Sequence, residues 1–228
     1  NDKNIFKDLD LKISKNEIIG IVGESGSGKS TIVNLLTGLI KAQKGSIIID
    51  KKELNDPLNF RKYQNLFSIS SQDTYIIDGT IKDNIIFGSS EKISNDKIKS
   101  SIKFARLETT INNLSDGLDT YIGSSIKKLS SGQKQRISIA RSIYSGRKIL
   151  IFDEATNALD KENENYIFEN LKNLKTEKTI IIISHDPENL KICDKILKVK
   201  NRNLVSDWAE LNYKLNKLIL WLKVKKFW

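Results

Sequence analysis

The chain has 228 residues, 39% hydrophobic and 29% charged, a composition ordinary for a globular protein and long enough for one large or two small domains. No run approaches the roughly 18 unbroken apolar residues that cross a bilayer, the polar first residues lead into no secretory apolar stretch, and the single Cys193 excludes an internal disulfide and fits a reducing compartment. The formal charge of +10 comes from lysines scattered from Lys3 to Lys226, with neither a basic helix face nor interleaved aromatics, so no nucleic acid is expected as a partner.

In chain order, Leu9, Leu11 and Ile13 alternate as in a half-buried strand, and residues 18–22, 47–49, 149–152 and 180–183 are short apolar runs of the kind buried on both faces of a parallel sheet. Directly after the run at 18–22 stands Gly23-Glu-Ser-Gly-Ser-Gly-Lys29-Ser30, a phosphate-loop pattern that leads into helical spacing from Thr31 to Leu39. Gly23, Ser25, Gly26 and Gly28 let the backbone wrap an anion, and the amides of the helix start, through Thr31, face the same phosphate oxygens. Lys29 reaches the terminal phosphates, and Ser30 supplies a hydroxyl to Mg²⁺. A further strand is expected over residues 66–70. Between about residues 81 and 145 helical spacing with polar loops takes over, read as an inserted helical subdomain spanning about 73–145.

Near the end of that region, Leu129-Ser-Ser-Gly-Gln133 leads into Lys-Gln-Arg-Ile-Ser-Ile-Ala-Arg141. Ser130 is suited to cap the helix that follows, which leaves the amides around Gly132 and Gln133 at a positive helix end, a second anion site. The apolar strand at 149–152 then ends in Asp153 and Glu154. Paired acids at a strand end also suit a solvated turn or a helix cap; downstream of a phosphate loop they read as a carboxylate for the magnesium water shell, Asp153, and one that faces an in-line water, Glu154. After Leu204 a Trp- and Lys-rich tail begins. Over residues 207–228, Trp208, Leu211, Leu215, Leu218 and Leu222 follow helical spacing beside the Lys223–Lys226 cluster, and an amphipathic helix is expected that packs on protein or touches a membrane surface.

The phosphate loop, the Leu129–Gln133 string and the Asp153-Glu154 strand together resemble the ATP-binding-cassette (ABC) ATPases, and the resemblance covers the chain from Ile5 to about Val205. It implies an α/β fold: a phosphate-loop NTPase (RecA-like) core with a mainly parallel sheet, antiparallel N-terminal strands and the inserted helical subdomain, so that residues 1–206 form one nucleotide-binding domain. By the same resemblance Gln72 falls where the family has its Q-loop ligand to Mg²⁺ or the attacking water, Asp160 in Ala158-Leu-Asp160 falls in the D-loop, and His185, the chain's one histidine, falls in the H-loop that contacts the terminal phosphate. The segments Asp78–Gly88 and Gly117–Thr120 are similar to exporter sequences. Ser131 departs from the usual first glycine of the signature, and Ser124, Ser125 and Ile126 stand where exporters carry a Glu-Arg-Gly-like loop.

What the resemblance implies is a sandwich of two copies or two related domains, each holding ATP and Mg²⁺ on its own Lys29 loop and on the partner's Ser130–Gly132 amides, with Glu154, His185 and Gln72 as the catalytic set. The expected setting is the cytoplasmic face of a bacterial inner membrane. Because the sequence contains no methionine, the chain is expected to be part of a longer protein with a transmembrane domain fused upstream of residue 1. The family's adenine-stacking aromatic is expected there too, Phe6 being read as a core residue. Two other readings stay open: a soluble ABC ATPase acting on nucleic acid or the ribosome, and a nucleotide-sensing subunit without catalysis.

Overall fold

The runs richest in isoleucine become the centre of one sheet. The computed structural model describes residue 6 and residues 9–53, 57–89, 92–123, 129–200 and 203–206. In chain order these hold β1 (Ile18–Gly23), α1 (Lys29–Leu36), the short β2 (Ile48–Ile49) and β3 (Lys52–Glu53), α2 (Pro57–Gln64) and β4 (Phe67–Ser71). Then come β5 (Gly79–Thr80), α3 (Ile81–Ile86), α4 (Asn95–Phe104), α5 (Glu108–Asn112), β6 (Tyr121–Ile122) and α6 (Ser131–Tyr144). The last elements are β7 (Ile149–Asp153), α7 (Lys161–Leu174), β8 (Thr179–Ile183), β9 (Lys195–Lys200) and β10 (Asn203–Ser206).

Six strands form the main sheet in the order β10-β9-β1-β8-β7-β4, every pairing parallel except the antiparallel edge β10–β9. Because side chains alternate across a strand, the continuous apolar runs cover both faces. Ile18, Leu150, Phe152, Ile180 and Ile182 enter one core with Ile137, Ile139 and Ala140 of α6 and Ile167, Phe168 and Leu171 of α7. Ile19, Ile21, Ile151, Ile181 and Ile183 enter the other with Ile32 and Val33 of α1. Each fully buried Ile, Leu, Val or Phe side chain contributes about 1.5–3 kcal/mol, and the register Ile151↔Ile181 and Asp153↔Ile183 holds the strand ends level. The α/β fold with a mainly parallel sheet agrees with the sequence.

Two local expectations differ. Leu9, Leu11 and Ile13 are part-buried and alternate with exposed neighbours, yet residues 9–14 belong to no strand. Leu11 and Ile13 pack on the second core without a ladder partner, so the alternation reports burial and not pairing. The run at 47–49 is no core strand either: β2 pairs only with β3 in a two-stranded antiparallel sheet, and Ile48 is 65% exposed. Among the described residues the antiparallel pairings are β2–β3, β5–β6 and β9–β10. Among the described residues no helix is long and apolar enough to cross a membrane. The tail 207–228, with Trp208, Leu211, Leu215, Leu218 and Leu222, and the loop residues Ser124, Ser125 and Ile126 lie outside the described residues.

Candidate functional site

The carboxyl ends of β1, β7 and β8 lie side by side, and the candidate residues follow from those ends: the loop Gly23–Ser30 from β1, Asp153 and Glu154 from β7, and His185 two residues past β8. From β1 the chain enters the phosphate loop at Gly23. Gly28 takes φ of +108° as the N-cap of α1, a left-handed backbone that favours glycine, and an added β-carbon there would stand 2.6 Å from the Phe6 ring. Phe6 packs with the second core. The cap contributes no side-chain hydrogen bond and the first turn of α1 carries no acid, which leaves positive amide ends for an anion. Lys29 is buried, and its ammonium donates to the carbonyls of Gly23 (2.9 Å) and Glu24 (3.0 Å). The Ser27 hydroxyl is buried without a partner. Ser25, Gly26 and Ser30 are exposed and Thr31 is half-buried.

From β7 come Asp153 and Glu154. Burial, with the neighbouring Glu154 charge, pushes the Asp153 carboxyl up, against the pull of Lys29. Glu154 has φ of +52°, strained for a residue with a β-carbon. Its amide donates to Ile183 O of β8 (3.0 Å), which holds that backbone in place. The Glu154 carboxylate meets His185 Nε2 at 2.5 Å and accepts from Asn157 Nδ2 at 3.0 Å. Gln72 follows the edge of β4: Ser71 pairs with Asp153, and the Gln72 amide donates to Asp153 O (2.9 Å). The structure therefore brings together Gln72, Asp153, Glu154 and His185, and Lys29 acts electrostatically on Asp153.

The start of α6 is a separate assembly. Ser130 is its N-cap in a reciprocal capping box: its hydroxyl accepts from the Gln133 amide (3.2 Å), and Gln133 Oε1 accepts from the Ser130 amide (2.9 Å). Ser131 is the first helical residue and has no positive φ, so its β-carbon adds no backbone strain. At Gly132 an added β-carbon would stand 2.9 Å from the carbonyl oxygen of Ala158. The glycine here serves close packing on the loop after Glu154. No hydrogen bond or ion pair joins Ser130, Gly132 or Gln133 to residues 23–31 among the described residues. Asp160 caps α7; hydrogen bonds from the Asn163 amide and side chain hold its carboxyl below the usual range.

Two positioning residues were not visible in the sequence. Gln135, 3% exposed, accepts from the Ala158 amide (2.9 Å), and Arg141 donates to Asn84 O (2.8 Å), Asn84 Oδ1 (3.0 Å) and Tyr75 O (2.9 Å), which ties down the segment after Gln72. In sequence both belong to the string Lys-Gln-Arg-Ile-Ser-Ile-Ala-Arg141, where nothing marks their distant loop partners.

The donor set fits a nucleoside triphosphate with a divalent ion. The uncapped α1 start, the buried ammonium and the orphaned Ser27 hydroxyl suit phosphate oxygens. Among the described residues no three His, Cys, Asp or Glu side chains converge as a protein-only metal site. An ion beside Ser30, Gln72 and Asp153 would draw its remaining ligands from phosphate and water, as Mg²⁺ does.

A family model described as ABC transporter matches residues 6–157. The chain is 38% identical over 201 residues to an uncharacterised ABC transporter ATP-binding protein, YwjA, of Bacillus subtilis, covering 88% of this chain and 35% of that protein. It is 37% identical over 205 residues to an ATP-dependent lipid A-core flippase of Desulfotalea psychrophila (90% and 36%), and 38% identical over 205 residues to a putative multidrug export ATP-binding/permease protein of Staphylococcus aureus (90% and 35%). A solved structure of a bacterial Atm1-family ABC exporter with ATP bound superposes with a TM-score of 0.84 at 31% identity, covering 93% of this chain and 37% of that one. The chain thus spans about a third of the length of the curated relatives it matches.

Proposed function

This chain belongs to the ABC transporter family, and we propose that it is the ATP-binding and ATP-hydrolysing part of an exporter. The observation that carries this is the Glu154–His185 contact of 2.5 Å at the ends of neighbouring strands, beside the strand that opens the Lys29 loop. A buried sheet delivers these groups with little freedom, which is what in-line attack on a phosphate demands.

In this reading Lys29 and the loop amides bind the phosphates of ATP. Ser30, Gln72 and Asp153 would hold Mg²⁺, which when bound neutralises phosphate charge. Glu154 polarises the attacking water, and His185, fixed by Glu154, steadies the terminal phosphate. The Ser130–Gly132 amides would serve a second copy or a related domain; among the described residues their hydrogen bonds stay within α6 and do not reach the Lys29 loop. The partnership with a transmembrane domain and the location at the cytoplasmic face of a membrane are part of the same proposal, supported by relatives named as flippase and export ATP-binding/permease proteins of which this chain matches about a third. Exposed Tyr75 and Phe87, beside Arg141 after Gln72, suit transmission of motion to such a partner.

The test is Glu154→Gln. It keeps the side chain's size and removes the carboxylate, so turnover should fall roughly 10²–10⁴-fold while ATP binding persists and a nucleotide-bound dimer accumulates on size-exclusion chromatography with light scattering. Near-normal hydrolysis by this variant would remove Glu154 from the chemistry, and a monomer that hydrolyses ATP would defeat the two-copy site.

A further inference from the structure

Glu164 lies in the first turn of α7, is 6% exposed, and has no part in the chemistry above. A carboxylate taken out of water needs several donors to be tolerated, and the origin of its donors is informative. Thr156 Oγ1, two residues past Glu154, donates to Glu164 Oε1 at 2.8 Å. Asn189 Nδ2 donates to the same oxygen at 2.7 Å and also to Ser184 Oγ, the residue before His185, at 3.2 Å. The Lys161 ammonium donates to Glu164 Oε2 at 2.7 Å and also binds Asp186, the residue after His185.

One buried carboxylate is thus wired to both loops that carry the Glu154–His185 pair. Asn189 links it to the near flank of His185 and Lys161 to the far flank, while Thr156 links it to the turn beyond Glu154. The strands set where each loop begins; beyond the strand ends, the 2.5 Å contact between an 18%-exposed Glu154 and a 52%-exposed His185 has to be held by something other than the sheet. Ser184, Asn189, Thr156 and Glu164 are all buried, so this frame has little freedom to relax.

We propose that Glu164 is a positioning residue for the hydrolytic pair, fixing the distance between Glu154 and His185 from beneath through Thr156 on one side and Asn189 with Ser184 on the other. The inference rests on the ATPase reading above and adds to it a residue that touches neither nucleotide nor water.

The chain has one histidine, so a ¹⁵N-histidine-labelled sample gives imidazole signals from His185 alone, a readout independent of turnover. Glu164→Leu should cut kcat by about tenfold to a hundredfold, the range a small misplacement of catalytic groups produces, with ATP affinity unchanged. It should also move the imidazole signal toward its position in Glu154→Gln. In the Glu154→Gln background Glu164→Leu should cost nothing further, because the two changes break one unit. Glu164→Gln keeps the acceptor for Thr156 and Asn189 and should recover most of the activity and the native imidazole signal. Should Glu164→Leu fail to fold, Asn189→Ala cuts only the arm to Ser184 and carries the same expectation. A lowered Tm with kcat per folded molecule and the imidazole signal unchanged would overturn the proposal. A wild-type protein that binds no ATP would overturn the ATPase reading instead, and the imidazole comparison would still decide the role of Glu164.

Discussion

At the ends of β1, β7 and β8 the functional side chains are tied to one another, whereas at the start of α6 they are tied only to their own turn and to the loop beneath it. Glu154 is held by Ile183, His185 and Asn157, and Lys29 by two loop carbonyls. Ser130 and Gln133 satisfy each other and leave the rest of the helix end outward. In the proposed reading the first region is a half-site on a rigid sheet, and the second is an anion surface that serves a second copy or a related domain. The difference teaches how, on that reading, one fold could bind a nucleotide alone and still use a second copy or a related domain to close on it.

The largest effect that would test this division is on binding by the sheet half. Lys29→Ala removes a buried ammonium whose charged hydrogen bonds to phosphate would contribute about 1.5–3 kcal/mol each, so ATP affinity should drop roughly 10²-fold or more in titration calorimetry on the monomer. Affinity that survives would mean the α1 amides alone hold the phosphates and the loop lysine is spare.

How much of this was legible follows the same line. The sheet half was readable because buried parallel strands are short apolar runs and motif residues stand at or just past their ends: Gly23 closing β1 and opening the loop that carries Lys29, Asp153 closing β7 with Glu154 next, and His185 two residues past β8. The capping box at Ser130 was readable in part, since Ser130 announced the helix start. What failed were contacts whose cause is distance in space. The approach of Gly132 to Ala158, the Gln135–Ala158 hydrogen bond and the Asn189 arm of the Glu164 frame join residues 26, 23 and 25 positions apart in chain, and polar residues inside an amphipathic helix look solvated until a loop is seen to cover them. The alternation at Leu9, Leu11 and Ile13 misled for the converse reason, because one-sided burial has the same period as a ladder.

A smaller effect probes the other half. Gly132→Ala places a β-carbon 2.9 Å from a backbone oxygen that has no rotamer to escape into, a strain of about 1–3 kcal/mol. The start of α6 should shift away from the loop before Asp160. ATP affinity of the monomer should stay as it is, while ATP-dependent dimerisation weakens, measured by light scattering in the Glu154→Gln background. Equal losses in both assays would break the division between halves. Ser130→Ala is milder still. Loss of the cap costs about 0.5–2 kcal/mol, visible as a Tm lower by a few degrees, and dimerisation should weaken less than with Gly132→Ala because the helix amides remain in place.

The smallest expected effect is a change that should not occur. Cys193 packs under β1, where a β-carbon on Gly20 would meet its sulfur at 3.1 Å, and burial, with the neighbouring Asp194 charge, pushes its thiol up to about 12. The thiolate is the reactive form, so iodoacetamide at pH 8 should label the native protein very slowly and the denatured protein fast. Between pH 9, the ordinary thiol value, and about 12 the folded state binds the extra proton, so this group's contribution makes stability fall as pH rises through that window. ATP should leave the labelling rate at pH 8 unchanged, because in the proposed reading the sheet half is in place before nucleotide arrives and closure would involve the outward face of α6. Labelling that ATP speeds or slows would show that the strands themselves move when nucleotide binds, and the contrast between a fixed half-site and a docking surface would give way to one body that rearranges throughout.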